Sequence, residues 1–395
     1  MRIAHIEYGF TFPPLGGEQV RVNKVCGCLS KRFETKLFYP SIREIKEKPF
    51  FEVENFDFEY EDRKIGRVLW KDNQLVKNIS KKLEGFAPNI VHHHFGAMPS
   101  LINAVIAGNE LRIPQVVTFH QFWPLCYRGT YWDFDGNVCS ERNVCGRCML
   151  TILLIDRIMD MRWRKTVQWI LNSISHFVTY SKFMKEKLIK AGVNKERISV
   201  IPYGVDFENV PQENFEREYI IFSGRLSQEK GVDLFITAVS KIERKRLKVI
   251  VIGDGPQREE YVDLTKKLNL NIQFTGWLNN RKEYFRYLKK AYCVVVPSLW
   301  IECSGLVIGE AFACGTPVIG TNSGGIPELI NNSGAGFVVE RSADEIAERI
   351  GVLIEDKKLR EEMGKKGRVF AEKYLSWEKN VARIAEIYEK LVARE

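Results

Sequence analysis

The stretch WIECSGLVIGEAFACGTPVIG, residues 300–320, decides the fold. It places Glu302 and Glu310 eight positions apart, on either side of a tight turn, Ser304–Leu306. The apolar run 293–297 before it predicts a strand that ends in a loop, followed by a helix whose N-terminus faces the carboxyl end of a parallel sheet. Such an N-terminus offers free N–H groups and a partial positive charge, which suit a phosphate. With one acid at each end of the ligand, the segment predicts a site for a nucleotide diphosphate sugar.

A second motif upstream supplies positive charge. Residues 219–222 predict a buried strand, and the segment SGRLSQEKG, residues 223–231, leads from it into an apolar helix. Arg225 and Lys230 flank this turn, which Gly224 permits. Two cations there can neutralise a leaving diphosphate as its negative charge grows. The alternative for this segment alone is a basic surface loop.

In this order the two motifs resemble the donor site of retaining GT-B glycosyltransferases of the family-4, or group 1, type. The resemblance implies two doubly wound Rossmann-like α/β domains facing a central cleft, with a C-terminal helix crossing back to the first domain. It makes Arg225 and Lys230 the clamp on the donor diphosphate. It further implies a set of donor contacts: backbone N–H groups of Gly305 and Leu306 beside Ser304 for the diphosphate, Glu310 for the ribose hydroxyls, and Glu302 for a hydroxyl of the transferred sugar.

Three shorter matches accompany the two motifs. The strand from Lys248 ends at Gly253, where glycine either admits backbone close to the donor or makes a turn, and the turn is favoured. By the resemblance, the backbone of Trp277 and Leu278 seats the nucleobase; packing of Trp277 in the core or at the rim is the alternative. A glycine turn at 324–328 closes the floor of the site without a chemical role.

Length and strand–helix alternation predict two domains, because 395 residues exceed one ordinary α/β core. The predicted bounds are 1–205 for an acceptor-binding domain and 206–376 for a nucleotide-sugar domain. Residues 377–395 form the predicted crossover helix, which packs on the first domain. Tyr203, in the segment between the domains, stands where the family usually has asparagine.

Two features of the first half also match the family. Gly16-Gly17 follows the first strand, and the resemblance implies that its backbone approaches the donor phosphate; a simple helix-start turn is the alternative. His120 ends the strand 116–119, where α/β sheets place ligands. The resemblance makes it a catalytic histidine beside the transferred sugar, and a buried structural histidine is the alternative. His92–His94 cannot all chelate one metal, because consecutive strand residues point to opposite faces. The family often has His-x-His here, so the resemblance implies a scaffold role for these histidines.

Four of the nine cysteines, Cys126, Cys139, Cys145 and Cys148, fall within one loop-like insert, residues 123–149. Four thiolates at such intervals can close a tetrahedral structural zinc site. Two disulfides, free thiols and an iron–sulfur cluster are the alternatives. The remaining cysteines, Cys26 among them, are interpreted as ordinary packing. Asp133-Phe134-Asp135 has the D-x-D form that binds a metal in a different glycosyltransferase fold, but here it is interpreted as a turn. Catalysis is therefore expected to need no metal or other cofactor.

The net charge of +9 is uneven. Residues 1–206 contain 30 Lys and Arg against 22 Asp and Glu, a balance of +8, and the remainder contains 29 against 28. A basic first half suits an anionic partner such as a lipid phosphate or membrane surface, although it also serves solubility. The apolar and basic stretch 149–171 predicts an amphipathic helix that either touches a membrane or packs on its own sheet. No nucleic-acid motif accompanies the charge.

No uncharged apolar run is long enough to span a bilayer, and Met1-Arg2 leads directly into a strand. We therefore expect a cytoplasmic protein, and peripheral contact with the cytoplasmic face of the membrane is the alternative left open. The predicted activity is hexosyl transfer, with retention, from a nucleotide diphosphate sugar to an acceptor hydroxyl on a polysaccharide, glycolipid or lipid-linked glycan. The alternatives are a nucleotide-sugar epimerase of the same fold, using His120 and Glu302, and a catalytically silent sugar-nucleotide-binding subunit.

Overall fold

The computed structural model describes residues 1–8, 17–40, 49, 51–56, 71–95, 101–123, 125, 126, 128–132, 138, 139, 148, 157–243 and 247–394. The chain divides into two compact units. The first contains residues 1–135, 139–202 and 377–395, and the second contains residues 136–138 and 203–376. Among the helices of the described ranges, none combines the length and the apolar character needed to cross a bilayer.

The first unit is built on a parallel sheet with the strand order β3-β2-β1-β4-β5-β6-β7 over the described residues. Its strands are Arg2–Ile6 (β1), Glu34–Pro40 (β2), Glu52–Phe56 (β3), Ile90–Phe95 (β4), Gln115–Phe119 (β5), His176–Thr179 (β6) and Ile198–Val200 (β7). Strands β4 and β5 are buried along their whole length, as expected for parallel strands covered on both faces. The chain order reverses between β1 and β4, which creates a crevice at their carboxyl ends.

The helices of this unit are Gly17–Leu29 (α1), Asn73–Phe86 (α2), Leu101–Glu110 (α3), Arg157–Ser173 (α4), Lys182–Lys190 (α5) and Trp377–Val392 (α13). Helix α13 packs beside α1 and belongs to the first unit, although it ends the chain. Its buried positions follow the helical repeat and include Trp377, Val381, Ile384 and Tyr388. Arg32 also forms an ion pair with Glu389 of α13 at 2.5 Å.

The second unit repeats the same plan, with the strand order β10-β9-β8-β11-β12-β13. Its strands are Tyr219–Ser223 (β8), Lys248–Ile252 (β9), Ile272–Gly276 (β10), Ala291–Val296 (β11), Val318–Thr321 (β12) and Gly336–Val339 (β13). All adjacent strands pair in parallel, and the order reverses between β8 and β11. This reversal opens a second crevice, at the carboxyl ends of β8 and β11.

The helices of the second unit are Val232–Ser240 (α6), Arg258–Lys267 (α7), Arg281–Lys290 (α8), Leu306–Ala313 (α9), Ile326–Ser333 (α10), Ala343–Glu355 (α11) and Lys357–Tyr374 (α12). Successive residues of β8 enter different apolar cores: Ile221 belongs to one, and Ile220 and Phe222 belong to the other. The sheet is therefore covered on both faces, which confirms the predicted doubly wound class.

The structure also extends the sequence prediction at several points. Strands β3 and β13 were not predicted, because both are short and only partly buried. The helix expected over 149–171 is seen as α4, which begins at Arg157; residues 149–156 lie outside the described residues.

Candidate functional site

The crevice at the end of β8 and β11 brings together the two motifs that the sequence analysis singled out. The loop after β8 carries Arg225 and Lys230, and the loop after β11 carries Glu302. Backbone N–H groups of Leu299 and Trp300 donate to the carbonyl oxygen of Glu229 at 2.9 and 3.2 Å, so the two loops are joined directly. Residues about 70 positions apart in sequence thus form one surface.

At this surface Lys230 and Glu302 form an ion pair, with 2.7 Å between Nζ and Oε1. Ser298 Oγ donates to the same carboxylate oxygen at 2.9 Å, and the Lys230 ammonium lies 4.3 Å from the centre of the Trp300 ring. Burial alone would raise the pKa of Glu302, but the Lys230 charge and the hydrogen bonds more than offset it, so the pKa lies below its usual value. Glu302 is therefore a carboxylate at neutral pH, and it holds Lys230 in place.

The second acid, Glu310, lies in α9 and is 3% exposed. One carboxylate oxygen pairs with Arg281, and the other accepts a hydrogen bond from Tyr284 Oη at 2.8 Å. Both partners lie on α8, three residues apart on one helix face. Neither partner was predicted from the sequence. Arg281 and Tyr284 lie three residues apart, so the sequence shows that they share one face of the helix after the predicted nucleobase strand. Nothing in the sequence, however, connects this helix to Glu310.

The N-terminus of α9 has the backbone that a phosphate site needs. Gly305 precedes the helix with extended dihedral angles, φ −110° and ψ 104°, and no side chain caps the helix start. The first-turn N–H groups of a helix have no acceptor within the helix. Ser304 Oγ is buried and has no hydrogen-bond partner among the described residues. Its hydroxyl and these amides are the groups that a bound anion would satisfy.

Two glycines explain how the site loops reach their positions. Gly324 has φ +60°, and a Cβ there would lie 2.0 Å from the carbonyl oxygen of Glu302. Gly325 N–H donates to that same oxygen at 2.8 Å, so the turn sets the position of Glu302. From sequence, the turn was expected only to close the floor of the site. Gly253 has φ +131°, and a Cβ there would lie 1.9 Å from the carbonyl oxygen of Gly224. Gly253 therefore lets the loop after β9 pack against the loop after β8.

The predicted nucleobase segment follows β10. The side chain of Trp277 is 45% exposed, so it does not pack in the core. Leu278 is partly buried against the core that also contains Tyr284. Gly276, at the end of β10, accepts a hydrogen bond from Gly253 N at 2.9 Å, which ties this strand end to the other site loops.

The Arg281–Glu310 pair gives a first prediction. Arg281→Met should lower the free energy of unfolding by about 1–3 kcal/mol, because Glu310 would keep a buried charge held only by Tyr284. Urea unfolding measures the change. The double variant Arg281→Met/Glu310→Gln should recover most of the loss, and Lys282→Met, at an exposed position of the same helix, should change little. Equal losses in the single and double variants would contradict the pairing.

In the first unit, His120 directly follows β5 and is buried. Its Nε2 lies 3.2 Å from Nδ1 of His94, and its Nδ1 lies 3.2 Å from Tyr180 Oη. Burial, followed by the nearby charge of Arg21, holds the pKa of His120 well below its usual value, so the ring is neutral. Both ring nitrogens have partners within the unit. A contact with a donor hydroxyl would therefore require one of these hydrogen bonds to be exchanged.

The other histidines near His120 form a buried polar cluster. His92 bonds Thr118 Oγ1 at 2.7 Å and Tyr388 Oη, and His93 bonds Gln115 Oε1 at 2.6 Å. These contacts fit the scaffold role expected from sequence. Gly17 begins α1, whereas Gly16 lies outside the described residues.

The cysteine loop is only partly described. Cys126 Sγ accepts a hydrogen bond from Tyr131 N–H at 3.4 Å, and Cys139 N–H donates to the Tyr131 carbonyl oxygen at 2.8 Å. Cys148 is buried, and Cys145 lies outside the described residues, as do Asp133 and Asp135. The zinc site predicted for the four cysteines therefore stays a prediction.

Comparison with known families assigns both halves of the chain. The model described as "Glycosyltransferase Family 4" matches residues 15–209, and the model described as "Glycosyl transferases group 1" matches residues 206–370. The chain belongs to the GT-B glycosyltransferases. An uncharacterized glycosyltransferase of Methanocaldococcus jannaschii is 27% identical over 324 residues, covering 80% of this chain and 79% of its relative. A D-inositol 3-phosphate glycosyltransferase of Paenarthrobacter aurescens is 29% identical over 227 residues, covering 51% of this chain and 54% of its relative.

Solved structures agree on the fold of this glycosyltransferase. Sucrose-phosphate synthase from Thermosynechococcus elongatus matches with a TM-score of 0.74 and 18% identity, covering 100% of both chains. The Anabaena protein HepE, solved in complex with UDP, matches with a TM-score of 0.75 and 18% identity, covering 99% of this chain and 100% of HepE. At this level of identity the likeness carries the GT-B fold and no more.

Proposed function

We propose that the protein is a retaining glycosyltransferase that moves a hexose from a nucleoside diphosphate sugar to an acceptor hydroxyl. The observation that carries this proposal is the single surface made by Lys230, Glu302 and the N-terminus of α9. It combines a fixed cation, an ionised carboxylate and free helix amides at a sheet reversal. These are the groups that a leaving diphosphate and a sugar hydroxyl need.

Each residue then has a role. Arg225, whose side chain is exposed, and Lys230 stabilise the negative charge that grows on the leaving diphosphate. The amides at Gly305 and Leu306 bind the same phosphates, and Glu302 accepts a hydrogen bond from a sugar hydroxyl. Glu310 accepts from the ribose hydroxyls. The leaving phosphate oxygen accepts the proton of the acceptor hydroxyl as the new glycosidic bond forms on the face that the phosphate leaves.

The Glu310 assignment is compatible with its two protein partners, because a carboxylate has about four acceptor positions. The structures of HepE with UDP and with UDP-glucose support a nucleoside diphosphate sugar as the donor class. The base and the sugar are to be identified by experiment.

Thermal unfolding with a panel of nucleoside diphosphates and their sugars, in EDTA, tests the donor site. One nucleotide at 100 times its dissociation constant should stabilise the protein by about 2.7 kcal/mol, which raises Tm by about 5 °C or more. The double variant Arg225→Ala/Lys230→Ala should lose the shift. The absence of a shift with every nucleotide would contradict the proposal, and a shift only without EDTA would contradict metal-free binding.

The anomeric configuration of the product separates the possible reactions. NMR of the first-formed product should show the same anomeric configuration as the donor sugar. Incubation with donor alone should release no isomerised sugar nucleotide. An epimerised donor in the absence of acceptor would favour the epimerase alternative, and an inverted product would contradict retention.

We further propose that the acceptor lies at an anionic membrane surface on the cytoplasmic side. Helix α4 exposes Met161 and Trp169, with exposed fractions of 55% and 40%, on one face with the exposed Lys165 between them. Large apolar side chains beside a basic residue suit the interface of an anionic bilayer. This face belongs to the basic half of the chain.

Sedimentation with vesicles tests the membrane proposal. Binding to vesicles of phosphatidylglycerol and phosphatidylcholine should weaken at least about 30-fold in Lys165→Glu/Trp169→Ala, since the variant changes the charge by two, at about 1 kcal/mol per charge near an anionic surface, and also loses the indole ring. Lys282→Glu, an exposed site in the other unit, should bind like the wild type. Equal binding of all three proteins would contradict a role for α4.

A further inference from the structure

A buried group in the first unit, distinct from the donor site, has the composition of a metal centre. The sulfur of Cys26 and one ring nitrogen each of His5 and His94 lie within 4.8 Å of one another. All three side chains are almost completely buried, with exposed fractions of 0%, 0% and 1%. Cys26 lies on α1, His5 on β1 and His94 on β4, so only the fold brings them together.

The donor set and its spacing fit zinc. One thiolate and two imidazoles are borderline and soft ligands of the kind that hold Zn²⁺. Nδ1 of His5 lies 2.9 Å from Nε2 of His94. Two nitrogens on one tetrahedral zinc are about 3.3 Å apart, given Zn–N distances of about 2.0–2.1 Å, so a small adjustment suffices. Three protein ligands leave one position for a water or another oxygen donor.

The surroundings complete such a site. Metal-bound histidines donate their second ring N–H to a fixed acceptor, and Nδ1 of His94 faces Nε2 of His120 at 3.2 Å. The Glu7 carboxylate is buried near Cys26 and acts electrostatically on its thiol. A bound cation would compensate the charge of the Glu7 carboxylate and of the Cys26 thiolate that forms when the metal binds.

We infer that His5, Cys26 and His94 bind one Zn²⁺ ion in the interior of the first unit. With Nε2 of His94 on the metal, its Nδ1–H donates to Nε2 of His120, and His120 Nδ1–H then donates to Tyr180 Oη. The ion thus fixes the tautomer of His120 through His94. It ties α1 to β1 and β4 at the carboxyl end of the sheet.

Metal analysis of the full-length protein, purified without a histidine tag from zinc-supplemented medium, tests this site. The cysteine loop is first removed as a source of zinc by the background Cys126→Ser/Cys139→Ser/Cys145→Ser/Cys148→Ser. This background should retain one zinc per chain. Adding Cys26→Ser should remove it, whereas adding Cys28→Ser, on the same helix, should leave it. If the background does not fold, the comparison is made in wild type, where Cys26→Ser should lose one zinc relative to Cys28→Ser.

Cobalt gives a second readout that reports on the sulfur itself. The background without the four loop cysteines, refolded with Co²⁺, should show a thiolate-to-cobalt charge-transfer band that adding Cys26→Ser abolishes and adding Cys28→Ser preserves. Circular dichroism and cooperative thermal unfolding establish that Cys26→Ser is folded. The inference is overturned if the folded background binds no zinc, or if Cys26→Ser changes neither the zinc content nor the cobalt band.

Discussion

Lys230→Ala lowers the rate of sugar transfer by about 10²- to 10³-fold, the loss that follows removal of one preorganised charge from a transition-state site. Lys230 is held 2.7 Å from Glu302 and above the Trp300 ring, so its ammonium is already in place before the donor binds. The variant loses this preorganised charge, and water that replaces the ammonium stabilises the leaving diphosphate much less. Initial rates with saturating donor, together with kcat/KM for the donor, measure the effect.

The control for this prediction is another lysine in an ion pair. Lys241 pairs with Asp344 at 2.8 Å, but both side chains are largely exposed, so Lys241→Ala should leave the transfer rate within about twofold of wild type. Glu302→Gln/Lys230→Ala should fold as stably as wild type or nearly so, yet stay inactive. Wild-type rates in folded Lys230→Ala would show that Lys230 does not act on the diphosphate.

The same variant changes how stability depends on pH. In the wild type, the pKa of Glu302 is below its unfolded value of 4.5, so its contribution is present above that value and is lost as pH falls through the folded pKa. Without Lys230, burial dominates and raises the folded pKa of Glu302. The stability gap between wild type and Lys230→Ala should therefore widen as the pH of urea unfolding rises from about 4 to 7.

Gly324→Ala lowers the free energy of unfolding by about 2–5 kcal/mol and displaces Glu302. The positive φ of +60° costs an alanine about 1–2 kcal/mol. The new Cβ, 2.0 Å from the Glu302 carbonyl oxygen, adds about 1–3 kcal/mol of overpacking, since backbone must move to relieve it. Urea unfolding measures the loss, and donor binding should weaken in any fraction that stays folded.

A second glycine provides the control for this change. A Cβ at Gly351, inside α11, would meet no atom within 4 Å, so Gly351→Ala should raise the free energy of unfolding by about 0.5–1 kcal/mol. Opposite signs at the two positions are the expected result. A Gly324→Ala variant as stable as wild type, with unchanged donor binding, would show that the turn does not set the position of Glu302.

Much of the fold could be predicted from sequence because its strands are apolar and bounded by clear breaks. The predicted strand 116–119 lies within the observed β5, and the predicted strand 219–222 lies within the observed β8. Glu302 and Lys230 were placed in one site because each follows a buried strand of one parallel sheet, and the carboxyl ends of neighbouring strands meet. Their direct ion pair depends on side-chain positions that spacing does not determine.

The residues that sequence reasoning missed are those whose partners are distant along the chain. Arg281 and Tyr284 meet Glu310 only because α8 packs beside α9. Cys26 was interpreted as packing and the histidine run as scaffold, since neither has a metal-binding spacing of its own. His5 is the third ligand of the inferred zinc site, and a single histidine in the first strand does not by itself indicate a metal site. The partners of His120 could not be foreseen either, because they come from β4 and from Tyr180.

Calorimetric titration tests whether Arg225, Lys230 and the N-terminus of α9 form a diphosphate site. The nucleoside diphosphate selected by the panel and its parent nucleoside are each titrated, in EDTA, into wild type and Arg225→Ala/Lys230→Ala. The diphosphate should bind wild type at least about 100-fold more tightly than the nucleoside does, a difference of about 2.7 kcal/mol, and the double variant should lose most of this difference. If the diphosphate binds more tightly than the nucleoside by the same factor in both proteins, or does not bind wild type, these groups do not form the diphosphate site.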